Sequence, residues 1–263
     1  MHVHRRIMAL AIALLAAVSA RSQSASQHVP PEPPAKTMPD MPYHEMVTVM
    51  EMDDTAPIGM VLLDRLEWRG AAGASAGAWN AHAWYGGDYS KLWFKTEGER
   101  ARGRTEDARA ELAWDRIVAR WWSLQLGARQ DFGAGPPRSW AAMSVQGLAP
   151  QWFDIEATLY VGDGGRTAAR LQAQCELLFT QRLILQPDLE ANLYGKADPE
   201  RSLGPGLSDL EFGLRLRYEI WREFAPYIGV SWRRAFGQTA EFKRTDGEGI
   251  GDARVVAGVR AWF

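Results

Sequence analysis

Cysteine is almost missing from this chain: of 263 residues only Cys175 carries a thiol. The chain therefore forms no intramolecular disulfide and has no Cys-x-x-Cys pair for metal or redox chemistry. Histidine is scarce as well. His2, His4, His28, His44 and His82 are the full set. The first two fall in a leader-like segment, so a zinc site built from several imidazoles is excluded. Basic excess is lacking too: the formal net charge is −2, which offers no positive face to phosphates and excludes nucleic acid as an expected partner. No apolar run is long enough for a helix to span a bilayer.

What is present starts with "MHVHRRIMALAIALLAAVSA". Arg5 and Arg6 precede a short apolar run that ends in Val18-Ser19-Ala20, a small-x-small cleavage pattern. Residues 1–20 are accordingly expected to be a secretory signal peptide. Its removal takes two of the 30 basic residues and leaves 28 against 32 acidic ones. Residues 21–56 are rich in Ser, Gln and Pro, and are expected to form a disordered tail because they bury too little apolar surface to offset ordering entropy. From residue 57 to 263 the composition changes and a third segment begins.

That segment alternates. In "FDIEATLYV" Phe153, Ile155, Ala157, Leu159 and Val161 share one face, and Asp154, Glu156, Thr158 and Tyr160 the other. "RLQAQCELLF" and "LEFGLRLRYEI" do the same, with closely spaced charges of both signs on the polar side. A period of two means strands. Turn residues divide the segment into strands at 59–69, 74–86, 89–101, 106–119, 121–132 and 138–148, then 151–162, 166–180, 182–195, 207–221, 224–237 and 252–263. Such strands are much longer than the globular mode of about 5–6 residues and suit the tilted crossings of a membrane barrel.

Twelve tryptophans, more than a soluble protein usually carries, fit the same picture. Many stand near strand ends, in "WYGG" at 84–87, "WW" at 121–122, "QWF" at 151–153 and the final "AWF". The fold expected is all-β, a transmembrane antiparallel up-and-down β-barrel of about 12 strands in the bacterial outer membrane, in contact with its lipid. Its N-terminal tail is expected on the periplasmic side. Pro187 sits inside a strand where its missing N–H breaks the ladder, so a bulge or a rim is expected there.

Few residues in the barrel invite catalysis. His82, in "NAHAWYGG", shares a face with Asn80 and Trp84 and has no serine at its near strand spacings, though Ser75 or a residue on a neighbouring strand could approach it. An outer-membrane lipid or ester hydrolase using His82 is the alternative from a different function class. The carboxylate pairs Asp154/Glu156 and Asp188/Glu190 suit acid–base chemistry, but arginines at 170, 182, 215, 217 and 233 supply countercharge for a salt-bridged lumen. "GDGGR" at 162–166 precedes no helix and reads as a hairpin turn. No enzyme is expected.

The soft ligands sit elsewhere. "TMPDMPYHEMVTVMEM", residues 37–52, holds five of the nine methionines and one histidine. Thioethers suit Cu(I), and imidazole suits either copper oxidation state. Met38, Met41, His44, Met46, Met50 and Met52 are the candidate metal ligands, with Glu51, Asp53 and Asp54 nearby for Cu(II). Methionines padding an apolar docking segment are the plainer account, and a structural barrel docking a periplasmic partner through its tail is a third possibility.

Several stretches carry a resemblance: "LLDRLEW" (62–68), "LWFKTEGER" (92–100), the segments 139–174 and 177–232, and "VVAGVRAWF" (255–263). They resemble the copper resistance protein B family of bacterial outer-membrane proteins over residues 57–263. The resemblance implies an outer-membrane barrel with a Met/His-rich N-terminal region that binds copper. It also implies a role in copper resistance and homeostasis beside a periplasmic multicopper oxidase. Family tails often hold repeated Met/His blocks, whereas this one is short and keeps only His28 and His44.

Overall fold

The computed structural model describes residues 56–71 and 74–263, together with Pro42, Glu45, Met46 and Met50. The expected signal peptide and most of the expected tail lie outside the described residues. The alternating segment forms β1 (Ile58–Ala71), β2 (Ala74–Gly86), β3 (Ser90–Ala101), β4 (Arg104–Ala119), β5 (Trp122–Gly133), β6 (Arg138–Ala149) and β7 (Phe153–Gly162). It continues with β8 (Arg166–Gln174), the short β9 (Leu177–Leu178), β10 (Leu183–Tyr194), β11 (Gly206–Tyr218), β12 (Phe224–Ala235) and β13 (Gly251–Trp262). Each pairs antiparallel with its neighbours, and β13 pairs back onto β1 through Leu62↔Trp262, Glu67↔Gly258 and Gly70↔Val255. Val61 and Phe263 exchange both backbone hydrogen bonds, at 3.0 and 2.9 Å, which carries the seam to the last residue. The ring is closed. Because β9 continues β8 after a two-residue gap, the wall has twelve staves.

That gap sits opposite Pro187. The β8–β10 ladder ends at Asp188↔Gln174 and resumes at Leu185↔Leu177, so two residues are skipped on each side and the register is kept. In an antiparallel strand a residue's N–H and C=O point the same way. The Pro187 carbonyl accepts from Cys175 N at 3.2 Å, so its missing N–H also faces the interrupted neighbour. Meanwhile β11 pairs through Pro187↔Leu214 undisturbed. The expected bulge is thus an interruption without register shift. A true irregularity lies in β1, where pairing jumps from Leu63↔Ala81 to Arg65↔Asn80. The extra residue lets the adjacent Asp64 and Arg65 both reach the interior.

The two faces are inverted relative to a water-soluble protein. Leu159, Ile228 and Val255 are 60 %, 64 % and 59 % exposed, whereas Glu67, Gln125, Arg215 and Arg217 are 3 % exposed or less. Only an apolar solvent outside the ring makes that arrangement favourable. Connections at the rim carrying the start of β1 and the end of β13 are two to five residues long. Tyr85, Trp121, Trp152, Trp221 and Phe263 crowd that rim as exposed aromatics. At the opposite rim the β10–β11 and β12–β13 connections have eleven and fifteen residues. The second contains a helix, α1 (Gly237–Thr245), where the sequence shows only a long connection. Gly237 opens it at φ 52°, a backbone that a β-carbon would strain.

These two connections pack on each other and on the far wall. Thr239 Oγ1 accepts from Gly204 N at 2.8 Å, and Ser202 donates to Asp246 at 3.2 Å. Arg138, at the start of β6, donates to both Asp198 oxygens at 2.8 and 3.0 Å and to Glu200 at 2.7 Å. Arg201 reaches Pro136 O at 3.1 Å and Asp107 on β4 at 3.4 Å. In the ring β4 stands five staves from β10, so residues 195–205 form a strap across the mouth. The hydrogen bond from Arg138 holds the Asp198 carboxyl below its ordinary value of 3.8. A depressed acid contributes stability above its unfolded value and loses it as pH falls through the folded one. The strap should therefore stay latched at neutral and mildly acidic pH, loosening only below the ordinary carboxylate range. Amide hydrogen exchange over 195–205, corrected for intrinsic rates, should show this, and Asp198→Asn should show fast exchange even at neutral pH.

Candidate functional site: a charge lattice in the lumen

Inward-facing positions of every second residue would fill this lumen with like charges unless acids and bases were matched across it. They are matched. Glu67 on β1 accepts from Arg215 Nε and Nη2, each at 3.0 Å, and from Tyr227 Oη at 3.0 Å. Arg215 also donates to Asp188 on β10, which lies 3.4 Å from Arg65 Nη2. Arg69 joins Glu67 at 2.7 Å to Glu99 at 3.2 Å. Two glycines make the room: a β-carbon at Gly213 would lie 2.4 Å from Asp188 Oδ1, and one at Gly258 would lie 2.7 Å from Tyr227 Oη.

A second group crosses the lumen beside the first. Arg170 on β8 lies 3.0 Å from Glu97 on β3 and 2.6 Å from Glu190 on β10. Arg109 on β4 pairs with the same Glu97. A third contact joins Lys95 to Glu156 at 2.7 Å and to Gln125 at 2.8 Å. These buried pairs sit in low dielectric, so each charge depends on its partner to offset lost hydration.

A cavity of about 230 Å³ borders this lattice, lined by residues that include Asp64, His82, Trp93, Asp154, Glu156 and Arg170. The His82 ring packs on Trp93 with centroids 5.4 Å apart, and its cross-strand neighbours are Leu62 and Lys95. Glu156 is committed to Lys95 and Asp154 accepts from Gln174 at 3.3 Å, so neither forms a matched acid–base pair with the imidazole. His82 is an inward-facing wall residue, with no serine among its cross-strand neighbours to serve as a hydrolase nucleophile. Among the described residues no three His, Cys, Asp or Glu side chains gather in a way that would hold a metal ion.

Of the six candidate metal ligands, Met46 and Met50 are described, while Met38, Met41, His44 and Met52 lie outside the described residues. Met46 N donates to Pro42 O at 3.0 Å, and Met50 N to Met46 O at 2.9 Å. Met50 is 38 % exposed.

Single substitutions in the lattice should be costly. Arg215→Ala removes three charge-assisted hydrogen bonds, leaving Glu67 to Arg69 and Tyr227 and Asp188 to Arg65, and should lower unfolding stability by about 1.5–3 kcal/mol. Lys243→Ala, at the exposed Lys243–Glu248 pair of 3.2 Å, should cost less than about 1 kcal/mol. Urea midpoints of the lipid-reconstituted variants separate the two.

Comparison with known proteins follows the same lines. The family model described as copper resistance protein B precursor (CopB) matches residues 58–263. A copper resistance protein B homolog from Pseudomonas syringae pv. tomato is 45% identical over 246 residues, 94% of this chain and 84% of its own length. The copper resistance protein B of Escherichia coli is 47% identical over 210 residues, 80% of this chain and 71% of its own. Among solved structures, the NanC porin superposes with a TM-score of 0.53 at 11% identity, covering 77% of this chain and 98% of that one, a likeness of fold alone. With a matching family model over the whole barrel and two relatives above 40% identity at this coverage, the chain belongs to the copper resistance protein B family.

Proposed function

We propose that this protein is a non-enzymatic outer-membrane barrel that contributes to copper resistance by capturing copper through its N-terminal Met/His segment. The observation that carries the reading is the union of that segment with a barrel of the copper resistance protein B family. Met38, Met41, Met46, Met50 and Met52 supply thioethers and His44 an imidazole. Thioether sulfur favours Cu(I), while His44 and the acids at 51, 53 and 54 extend the set toward Cu(II).

Residues 1–20 act as a cleaved signal peptide in this reading, in keeping with the family's description as a precursor. The short-turn rim faces the periplasm, because outer-membrane barrels turn tightly there and carry longer loops outside. In this reading the tail is periplasmic and its partner there is a multicopper oxidase. Copper is then cargo, handed on from the tail to the barrel or retained at it.

The test is copper retained by the detergent-purified protein against a competing chelator. Replacing Met38, Met41, Met46, Met50 and Met52 by Leu and His44 by Ala should abolish most retention while leaving the barrel folded. Retention equal to wild type sinks the tail's role. His82→Ala should leave copper tolerance intact, and a loss of ester or lipid hydrolysis in that variant would instead revive the enzyme.

A further inference from the structure

The buried arginines of the lumen are not held alike. Arg215 uses its whole fork, with Nε and Nη2 on Glu67 and Nη1 on Asp188. Arg170 makes all three of its contacts from Nη2, at 3.1 and 3.0 Å to Glu97 and 2.6 Å to Glu190. Its Nε is buried without a hydrogen-bond partner. A bidentate fork fixes a guanidinium in orientation, whereas contact through one nitrogen lets it leave by a side-chain rotation.

Arg170 also has somewhere to go. It lines the cavity of about 230 Å³, and so does Glu111. Glu111 is only 7 % exposed and Arg170 8 %. The Glu111 Oε2 accepts from Tyr160 at 3.3 Å, but its Oε1 is buried with no partner. An unused buried acceptor and an under-used buried donor on the wall of one cavity offer two resting places for one side chain.

We propose that Glu97 and Glu190 form a cation-binding constriction across the lumen, and that Arg170 is the resident cation that plugs it. Glu97 stands on β3 and Arg170 on β8, five staves apart, so their contact closes the lumen from wall to wall. When Arg170 swings to Glu111, the two carboxylates face each other with Arg109 alone between them. The site is then one charge negative and offers oxygen ligands, which suits potassium or oxidised copper better than Cu(I). This rests on reading the lumen as a route for cations, independently of copper capture by the tail.

The experiment uses the full-length protein in planar bilayers with potassium chloride, so copper plays no part in the readout. Wild type should conduct little. Arg170→Ala should raise conductance several-fold with a cation-preferring reversal potential, and adding Glu97→Gln and Glu190→Gln should abolish the preference. Arg170→Lys should stay closed, since one ammonium replaces one nitrogen's contacts. Because the strap crosses one mouth, R138A/R170A is measured alongside. Heat-modifiable gel mobility establishes folding, and Arg170→Met stands in should R170A fail to fold. The proposal is overturned if folded R170A and R138A/R170A conduct no more than wild type, if the opened pore prefers anions, or if R170K opens as widely as R170A. Copper retention by the methionine variant is scored separately, so either idea can fail alone.

Discussion

Everything in this molecule follows from one seam, the pairing of β13 with β1. Hydrocarbon gives an unpaired N–H or C=O no partner, so a sheet with free edges does not survive there. Once Leu62↔Trp262 through Gly70↔Val255 are joined, the sheet has an inside and an outside, and each residue's face is settled by its place in the alternation. A strand slipped by one position would send Glu67 and Arg69 into lipid and Leu66 and Trp68 into the lumen. The wall therefore has little freedom, and the consequences are felt inside it.

Within so narrow a ring the inward side chains meet across the axis. Lys95 on β3 touches Glu156 on β7, and Arg215 on β11 touches Glu67 on β1. Such pairs are weak evidence for net stability, because dehydrating both charges offsets much of their attraction. Their physical effect is selectivity of arrangement: each acid is usable only with its own base in place. A lumen packed by hydrophobic side chains would be more stable and permanently shut. Here ion pairs fill it instead, with Arg215 bonded through its whole fork and Arg170 through one nitrogen.

Most of the wall was legible in the sequence. Expected strand limits such as 74–86 and 138–148 lie within a residue of those observed, because long tilted strands impose a period of two that nothing local contradicts. The exceptions have local causes. Residues 166–180 read as one strand, and the split at Cys175 arises from Pro187 on a neighbour, which no single-strand pattern reveals. The α1 helix hides in "GQTAEFKRT", whose mixed polarity carries little amphipathic signal. For the site, facing was readable but partnership was not. Arg170 and Glu97 are 73 residues apart in sequence, and only closure of the ring brings them together. One signal was available: Asp64-Arg65 in "LLDRLEW" puts two charges in succession, which an alternating wall accommodates only by a bulge.

The methionines obey a different logic from the lattice. Carboxylates such as Glu67, Asp188 and Glu190 are matched by arginines because charge in low dielectric demands a partner. A thioether is neutral, so Met50 is free to stand in solvent at little electrostatic cost, and nothing in the fold requires it there. A soft, uncharged ligand can exchange a metal without disturbing any ion pair. A hard, charged ligand in the lumen cannot. Soft and hard ligands therefore obey different constraints, and in this chain the methionine cluster at 38–52 precedes Asp64 and Glu67, the first carboxylates of the barrel wall.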